Sequence, residues 1–290
     1  MLHWLVHSLR ELGFDARWIP ERHPFLTGRS ERLGKRVARA VGFSDRHRMG
    51  NPAWDVPVLD SLKGLGLREV QEEWIVVYPE AIFGNPLGAK RVVRYLLNQE
   101  GALGGRSMGA EPSDFLMAYS RTFHASAPVL YYPLFDGELL LRAGQAHSGQ
   151  RTLCAYYRGK GVLYGECPEI PGSVEIRRDW PRTKAEYYAL LEQVRVLYSY
   201  DWVSSTMQDA VLLGCEVRLV GSPGGLGEAA LMSEDFEIRG IWHRTEEPGG
   251  GLYIPPGFNH VFLGQVQKFR AEFPVRLLTI FGEEIRHLHA

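Results

Sequence analysis

Between Leu197 and Val220 the chain reads LYSYDWVSSTMQDAVLLGCEVRLV, a stretch dense in side chains suited to holding a phosphorylated ligand. The apolar run predicts a buried strand that delivers Asp201 to a turn, after which Ser204, Ser205 and Thr206 open a helix. The first turn of a helix has unpaired N–H groups and a partial positive charge, so it is a natural phosphate site, and neighbouring hydroxyls add donors. Asp209 follows Asp201 by eight residues, two helical turns or roughly 12 Å along an axis. Two carboxylates so spaced can each hold a hydroxylated ring at opposite ends of a diphosphate. The plainer account of the same residues is that Asp201 and the serines cap the helix while Asp209 faces solvent.

Arg158 and Lys160 stand in YYRGKG, after an apolar segment that predicts a strand. At the carboxyl end of a strand, between glycines, both cations can reach a ligand and neutralise a departing diphosphate; otherwise they form a solvated basic turn. Glu80 ends another apolar run, Trp74–Tyr78 plus Pro79. There it either orients an acceptor hydroxyl or serves as a general base, or it caps the loop before Gly84-Asn85. Ten histidines are scattered, with no convincing helical pair for a metal; His3 and His7 are better explained by partial burial of a first helix. The run Gly221-Ser-Pro-Gly-Gly-Leu-Gly227 has Pro223 and no following Lys-Ser/Thr, which argues against a nucleotide P-loop.

These residues need elements to hold them. Leu2, Leu5, Val6, Leu9 and Leu12 predict an opening helix closed by Gly13. Strands are predicted at Asp15–Pro20, Trp74–Tyr78, Phe115–Tyr119 and Val129–Tyr132, and a helix from about Pro86 through PLGAKRVVRYLLN. The polar, glycine-rich stretch 136–150 reads as a boundary. Beyond it RTLCAYYR, VEIRR, RVLYSY and EVRLVG predict strands, RTKAEYYALLEQV and STMQDAVLLG predict helices, and HVFLGQVQKFRAEF predicts an amphipathic helical tail. Alternating strands and helices point to α/β architecture with mostly parallel, doubly wound sheets, whose ligands bind beyond the carboxyl ends of the strands.

The order strand, acid, seven residues, acid, Ala, Gly-Cys, strand resembles the donor-binding motif of two-domain GT-B glycosyltransferases, usually written E-x7-E and standing here as Asp201-x7-Asp209. The segment VVYPEAIFGNPLGAKRVVRYLLNQEGALGG is similar to the N-terminal half of bacterial polysaccharide glycosyltransferases. The resemblance implies a GT-B-like fold with two Rossmann-type sheets facing a cleft. It implies an acceptor-side domain over 1–145, a nucleotide-sugar domain over 146–258, and a helical tail over 259–290 that crosses back toward the first domain. It implies sugar transfer from a nucleotide-sugar to a saccharide or lipid-linked acceptor without a metal or other cofactor, with which the absence of a D-x-D motif agrees. Asp201 then lies by the donor sugar and Asp209 by the ribose, while Lys160, more than Arg158, takes the family's basic position. The Asp at the second place is one methylene short of the usual Glu. The family starts with a strand before its first helix, whereas this sequence opens on the helix. The first sheet is therefore expected to lack a central strand, with Trp74–Tyr78 either directly beside Asp15–Pro20 or separated from it by a gap that other chain fills. The alternative reading is a degenerate, non-catalytic nucleotide-sugar-binding partner.

Composition narrows the field. The chain has 290 residues, 45% of them hydrophobic and 23% charged, with 33 Lys plus Arg against 34 Asp plus Glu. That is the profile of a globular protein, not of a disordered chain or a rod. The near-neutral balance lacks the basic excess of a nucleic-acid binder. Three cysteines without a C-x-x-C pair form neither a disulfide framework nor a zinc site. With no long apolar span and no signal-like start, the expectation is a cytoplasmic protein. The cationic stretch Arg29–Arg48 is either a solvated face or a weak peripheral contact with an anionic inner leaflet.

Overall fold

The protein is described by a computed structural model over residues 2–19, 67–101, 107–145, 149–221, 241–246 and 251–284. The cationic stretch 29–48 and all of the glycine run after Gly221 lie outside the described residues. Packing divides the chain into two compact units, Met1–Tyr132 with Glu272–Ala290, and Pro133–Ala271. The sheets of both units are rich in parallel pairing, so the architecture is α/β.

In the first unit, α1 (Leu2–Glu11) buries Trp4, Leu5, Val6 and Leu9, one face at helical spacing. It stops at Gly13, whose φ of 86° is the left-handed conformation that suits glycine after a helix. After α2 (Leu67–Glu72), three strands follow: β1 (Ile75–Pro79), β2 (Arg91–Leu96) and β3 (Phe115–Ala118). They form a parallel sheet in the order β1-β2-β3. Val129 adds only an isolated bridge to Ala118, in place of the strand expected at Val129–Tyr132.

The expected helix through PLGAKRVVRYLLN is instead a turn followed by β2. Gly88, with a φ of 68°, breaks the chain before it. Two adjacent valines favour extended backbone, and Val92 through Leu96 are all buried, as the central strand of a sheet covered on both faces requires. Arg94 illustrates the difference. An amphipathic helix would place it in water, but its side chain is 0% exposed and pairs with Asp114 at 2.7 Å. It also donates to the carbonyl of Ile82 and lies over the Tyr78 ring.

Residues 14–19 run extended after α1 but form no strand, contrary to the expectation for Asp15–Pro20; Trp18 alone is in a bridge. They do not close against β1. A cavity of about 800 Å³ is lined by these residues, by β1 and by the apolar face of α1. Among the described residues β1 pairs only with β2.

The second unit opens with α3 (Gly137–Ala143), capped by the Asp136 carboxylate, so the stretch 136–150 read as a boundary is a helix for half its length, and the division falls just before it, between Tyr132 and Pro133. Then come β4 (Leu153–Tyr157), a 3₁₀ turn (Gly159–Leu163), β5 (Ser173–Ile176), α4 (Lys184–Gln193), β6 (Val194–Ser199), α5 (Ser205–Leu212), β7 (Glu216–Leu219), β8 (His243–Arg244), β9 (Leu252–Ile254) and α6 (Asn259–Leu278). Their sheet has the order β5-β4-β6-β7-β9-β8. The first four strands are parallel, and β9 and β8 pair antiparallel at the end. A capping box of Thr183 and Glu186 starts α4. Its core joins Leu191, Leu197, Met207, Val211 and Val217 to Phe262 and Val266 of α6. Further along α6, Phe273 and Leu277 belong to the first unit's core, with Trp4, Leu9, Val93, Ile280 and Phe281.

Candidate functional site

Adjacent parallel strands put their exits on the same edge of a sheet. Here Tyr157, the last residue of β4, is in register with Ser199, the last of β6. The Tyr200 N–H donates to the Tyr157 carbonyl at 2.9 Å just past both ends. The chain leaving β4 and the chain leaving β6 are thus held side by side, and Asp201 ties them together. Its Oδ2 accepts the Lys160 backbone N–H at 2.9 Å, and its Oδ1 accepts the Val203 N–H at 3.3 Å. Ser199 Oγ donates to the Asp201 carbonyl at 2.8 Å. With 5% of its surface exposed, Asp201 is an internal brace of the edge.

The two glycines flanking Lys160 are demanded by this closeness. A Cβ on Gly159, whose φ is 48°, would lie 2.5 Å from Asp201 Oδ2 and 2.5 Å from Tyr157 Cε1. A Cβ on Gly161 would lie 2.5 Å from the Tyr200 carbonyl oxygen. Lys160 is therefore fixed by its backbone beside the start of α5. Among the described residues no carboxylate pairs with its ammonium. Arg158 behaves differently. Its guanidinium donates to Glu175 at 2.5 Å and to the Cys167 carbonyl at 2.8 Å, and lies over the Tyr156 ring. It is tied to β5 and to the loop that leads into that strand.

Ser204 is the N-cap of α5 and accepts the Met207 N–H at 3.1 Å, so its oxygen already serves one of the helix's unpaired amides. Ser205 is exposed and Thr206 is buried. The Thr206 hydroxyl works against the rise that burial causes in both Tyr157 and Tyr187, and Tyr187 donates its hydroxyl to Asp209 Oδ2 at 3.1 Å. Asp209 is thus turned toward α4. Burial pushes its carboxyl up to about 7, a rise that the Tyr187 hydrogen bond and the Lys184 charge only partly oppose. Burial also raises Tyr157, with the Asp201 charge adding to it.

Glu80 lies in the first unit, directly after β1. It is 6% exposed, and its Oε2 accepts the Leu97 N–H at 2.9 Å, linking the carboxyl ends of β1 and β2. Nearby Asn85 accepts from the Tyr78 hydroxyl and the Ala89 N–H and donates to the Ala89 carbonyl, so the G-N-P-L segment is an ordered turn.

The structure therefore brings Lys160, Asp201, Ser204, Ser205 and Thr206 to one edge of one sheet, with Asp209 a turn further along α5. Arg158 is engaged on β5, and Glu80 stands in the other unit. Tyr157 and Tyr187 complete the cluster without any motif to mark them. The signal for Tyr157 was its place as the last strand residue before a glycine-flanked cation. Tyr187 depends on α4 packing against α5, which no local pattern reveals. Among the described residues no cluster of His, Cys, Asp and Glu is arranged to hold a metal ion, and no helix is long and apolar enough to cross a membrane. Compared with models of protein families, with curated proteins and with solved structures, the chain matches none.

Proposed function

We propose that the protein is a metal-independent glycosyltransferase of the two-domain GT-B class, and that its second unit holds the nucleotide-sugar donor. The observation that carries this reading is the Lys160 loop, docked through Asp201 beside the N-terminus of α5. A diphosphate placed there meets the Lys160 ammonium and the amides of Ser205 and Thr206 together. These groups neutralise the charge that develops as the sugar–phosphate bond breaks, the task a metal performs elsewhere. Asp201 positions this loop, because both its oxygens are taken by backbone amides. The acceptor is a saccharide or a lipid-linked acceptor. Glu80, bound to the Leu97 amide, supports the first sheet's edge.

The held position of Asp209 favours a second reading, a non-catalytic nucleotide-sugar binder, since a carboxylate bonded to Tyr187 is a weak grip on a ribose. Thermal shift against UDP, GDP, dTDP and CMP sugars and against NAD(P) separates the possibilities. One sugar nucleotide should stabilise the fold, by about 2.7 kcal/mol at a hundred times its Kd. Stabilisation by NAD(P) alone would overturn the proposal. Slow hydrolysis of the stabilising donor supports the transferase; its absence, with binding intact, supports the binder.

A further inference from the structure

The carboxyl edge of the second sheet carries a further cation, on the strand next to the Lys160 loop. Ile176, the last residue of β5, is in register with Tyr157, the last of β4. The chain leaving β5 therefore starts on the same edge as the Lys160 loop, one strand further from α5. It turns at once. The Arg177 N–H donates to the Trp180 carbonyl at 2.9 Å, and the Trp180 N–H donates to the Arg177 carbonyl at 3.2 Å. These bonds close a tight turn with Arg178 and Asp179 at its tip. Asp179 pairs with Arg177 at 3.5 Å. Arg178 is left exposed, and among the described residues no carboxylate pairs with it.

Tyr157 links this turn to the donor site. Its ring lies against Gly159, where an added Cβ would meet Cε1 at 2.5 Å. Burial raises its phenol and the Asp201 charge adds to the rise, while the Thr206 hydroxyl and the Arg178 charge oppose it. One ring thus feels the carboxylate that docks the Lys160 loop and the guanidinium on the next strand.

Across the edge the order is the Arg178 turn, the Lys160 loop and the start of α5, one for each strand exit. Strand exits lie about 4.8 Å apart, so the first and last of these are separated by about 10 Å. A diphosphate held by Lys160 and the α5 amides is shorter than that, and Arg178 faces whatever adjoins it. In a sugar nucleotide the adjoining groups are a nucleoside and a sugar. The nucleoside brings no further anion, so only the sugar can supply one.

We infer that Arg178 selects a donor whose transferred sugar is itself acidic, with a carboxylate or phosphate away from its anomeric carbon. The planar fork of a guanidinium matches either anion with two parallel hydrogen bonds. The inference rests on the donor site proposed above, because a phosphate at Lys160 sets where the sugar begins.

The test uses the full chain and three probes without a base: α-D-glucose 1-phosphate, α-D-glucuronate 1-phosphate and α-D-glucose 1,6-bisphosphate. Binding is read by NMR titration at one ionic strength, since salt screens surface charge. At least one of the two doubly anionic probes should bind about tenfold or more tighter than glucose 1-phosphate. Which one does so tells a sugar acid from a phosphosugar. Arg178→Gln should remove the preference and leave glucose 1-phosphate binding unchanged. Arg195→Gln, which removes an exposed cation near the start of β6 on the opposite edge, should keep the preference. Lys160→Ala should weaken all three probes. Equal binding of the three, a preference that survives Arg178→Gln, or one lost equally in Arg195→Gln would overturn the inference and leave the donor site standing. Weaker glucose 1-phosphate binding in Arg178→Gln would make Arg178 a ligand of the shared phosphate, and also overturn it. No binding of any probe, or none that depends on Lys160, would overturn the donor site and this inference together.

Discussion

A methyl group on Gly159 would collide with Asp201 and Tyr157 together, and the residue's φ of 48° is itself unfavourable for an L side chain. Gly159→Ala should therefore cost about 1–3 kcal/mol of stability and displace Lys160. Nucleotide binding should fall although the lysine remains, as calorimetric titration would show. Lys160→Ala should leave stability nearly unchanged and weaken nucleotide binding by about 1.5–3 kcal/mol, roughly 10–150-fold; unchanged affinity would remove Lys160 from the donor site. Asp209 makes a different prediction. Its carboxyl is near 7 in the fold and has an ordinary value when unfolded, so its effect on stability is favourable below about pH 4 and is lost as pH rises through 7. Asp209→Asn keeps the acceptor for Tyr187 but removes the buried charge. It should stabilise the protein at pH 8 by about 1–3 kcal/mol and hardly at all at pH 4.5, read from urea midpoints at both values. The glycine-flanked lysine and the serine cap were legible in the sequence because both are local. The burial of Asp209 was not, because its partner Tyr187 comes from another helix.

At the scale of elements, the parallel strands β4–β7 of the second unit and α5 were readable because each is a short apolar run or a single helical period bounded by turn or cap residues. β2 was not. RVVRYL carries apolar residues at spacings that fit a helix as well as a strand, and the choice was made by partners outside it: β1 on one side, β3 on the other, and Asp114 for the buried Arg94. The arginine makes the strand's placement testable. Asp114→Asn leaves a charged guanidinium buried without its counter-ion and should cost about 3–5 kcal/mol. The pair replaced together, Arg94→Met with Asp114→Leu, should cost clearly less than Asp114→Asn alone in the same urea titration. An equal loss would mean that the two do not act as a buried pair. The extended stretch 14–19 differs from the strand expected for it for a related reason: a strand needs a run of hydrogen-bonded neighbours, which composition cannot supply, and here Trp18 alone is in a bridge.

For the whole molecule, the α/β class followed from alternating periods, which many residues report together. The mixed end of the second sheet did not, since two- and three-residue strands such as β8 and β9 carry too little pattern. Nor did the sequence show how α6 divides its apolar face, with Phe262 and Val266 in one core and Phe273 and Leu277 in another. Phe273→Ala should cost about 3–5 kcal/mol, and hydrogen exchange should speed up in β1–β3 but not in β4–β7. Uniform loss of protection would show that the division is not energetic. The same feature sets an order in time. The second unit is one unbroken stretch of chain and has all its parts as soon as α6 is made. The first unit waits for side chains that follow the second unit in the chain. At about 5–20 residues per second, the roughly 150 residues after Tyr132 delay Phe281 by about 7–30 s. Through that interval Trp4, Val93 and Met117 lack the aromatic and aliphatic cover they have in the finished core. Of the two units, the one whose strands are made earlier is the one completed later, and its apolar core is the one left uncovered while the other folds.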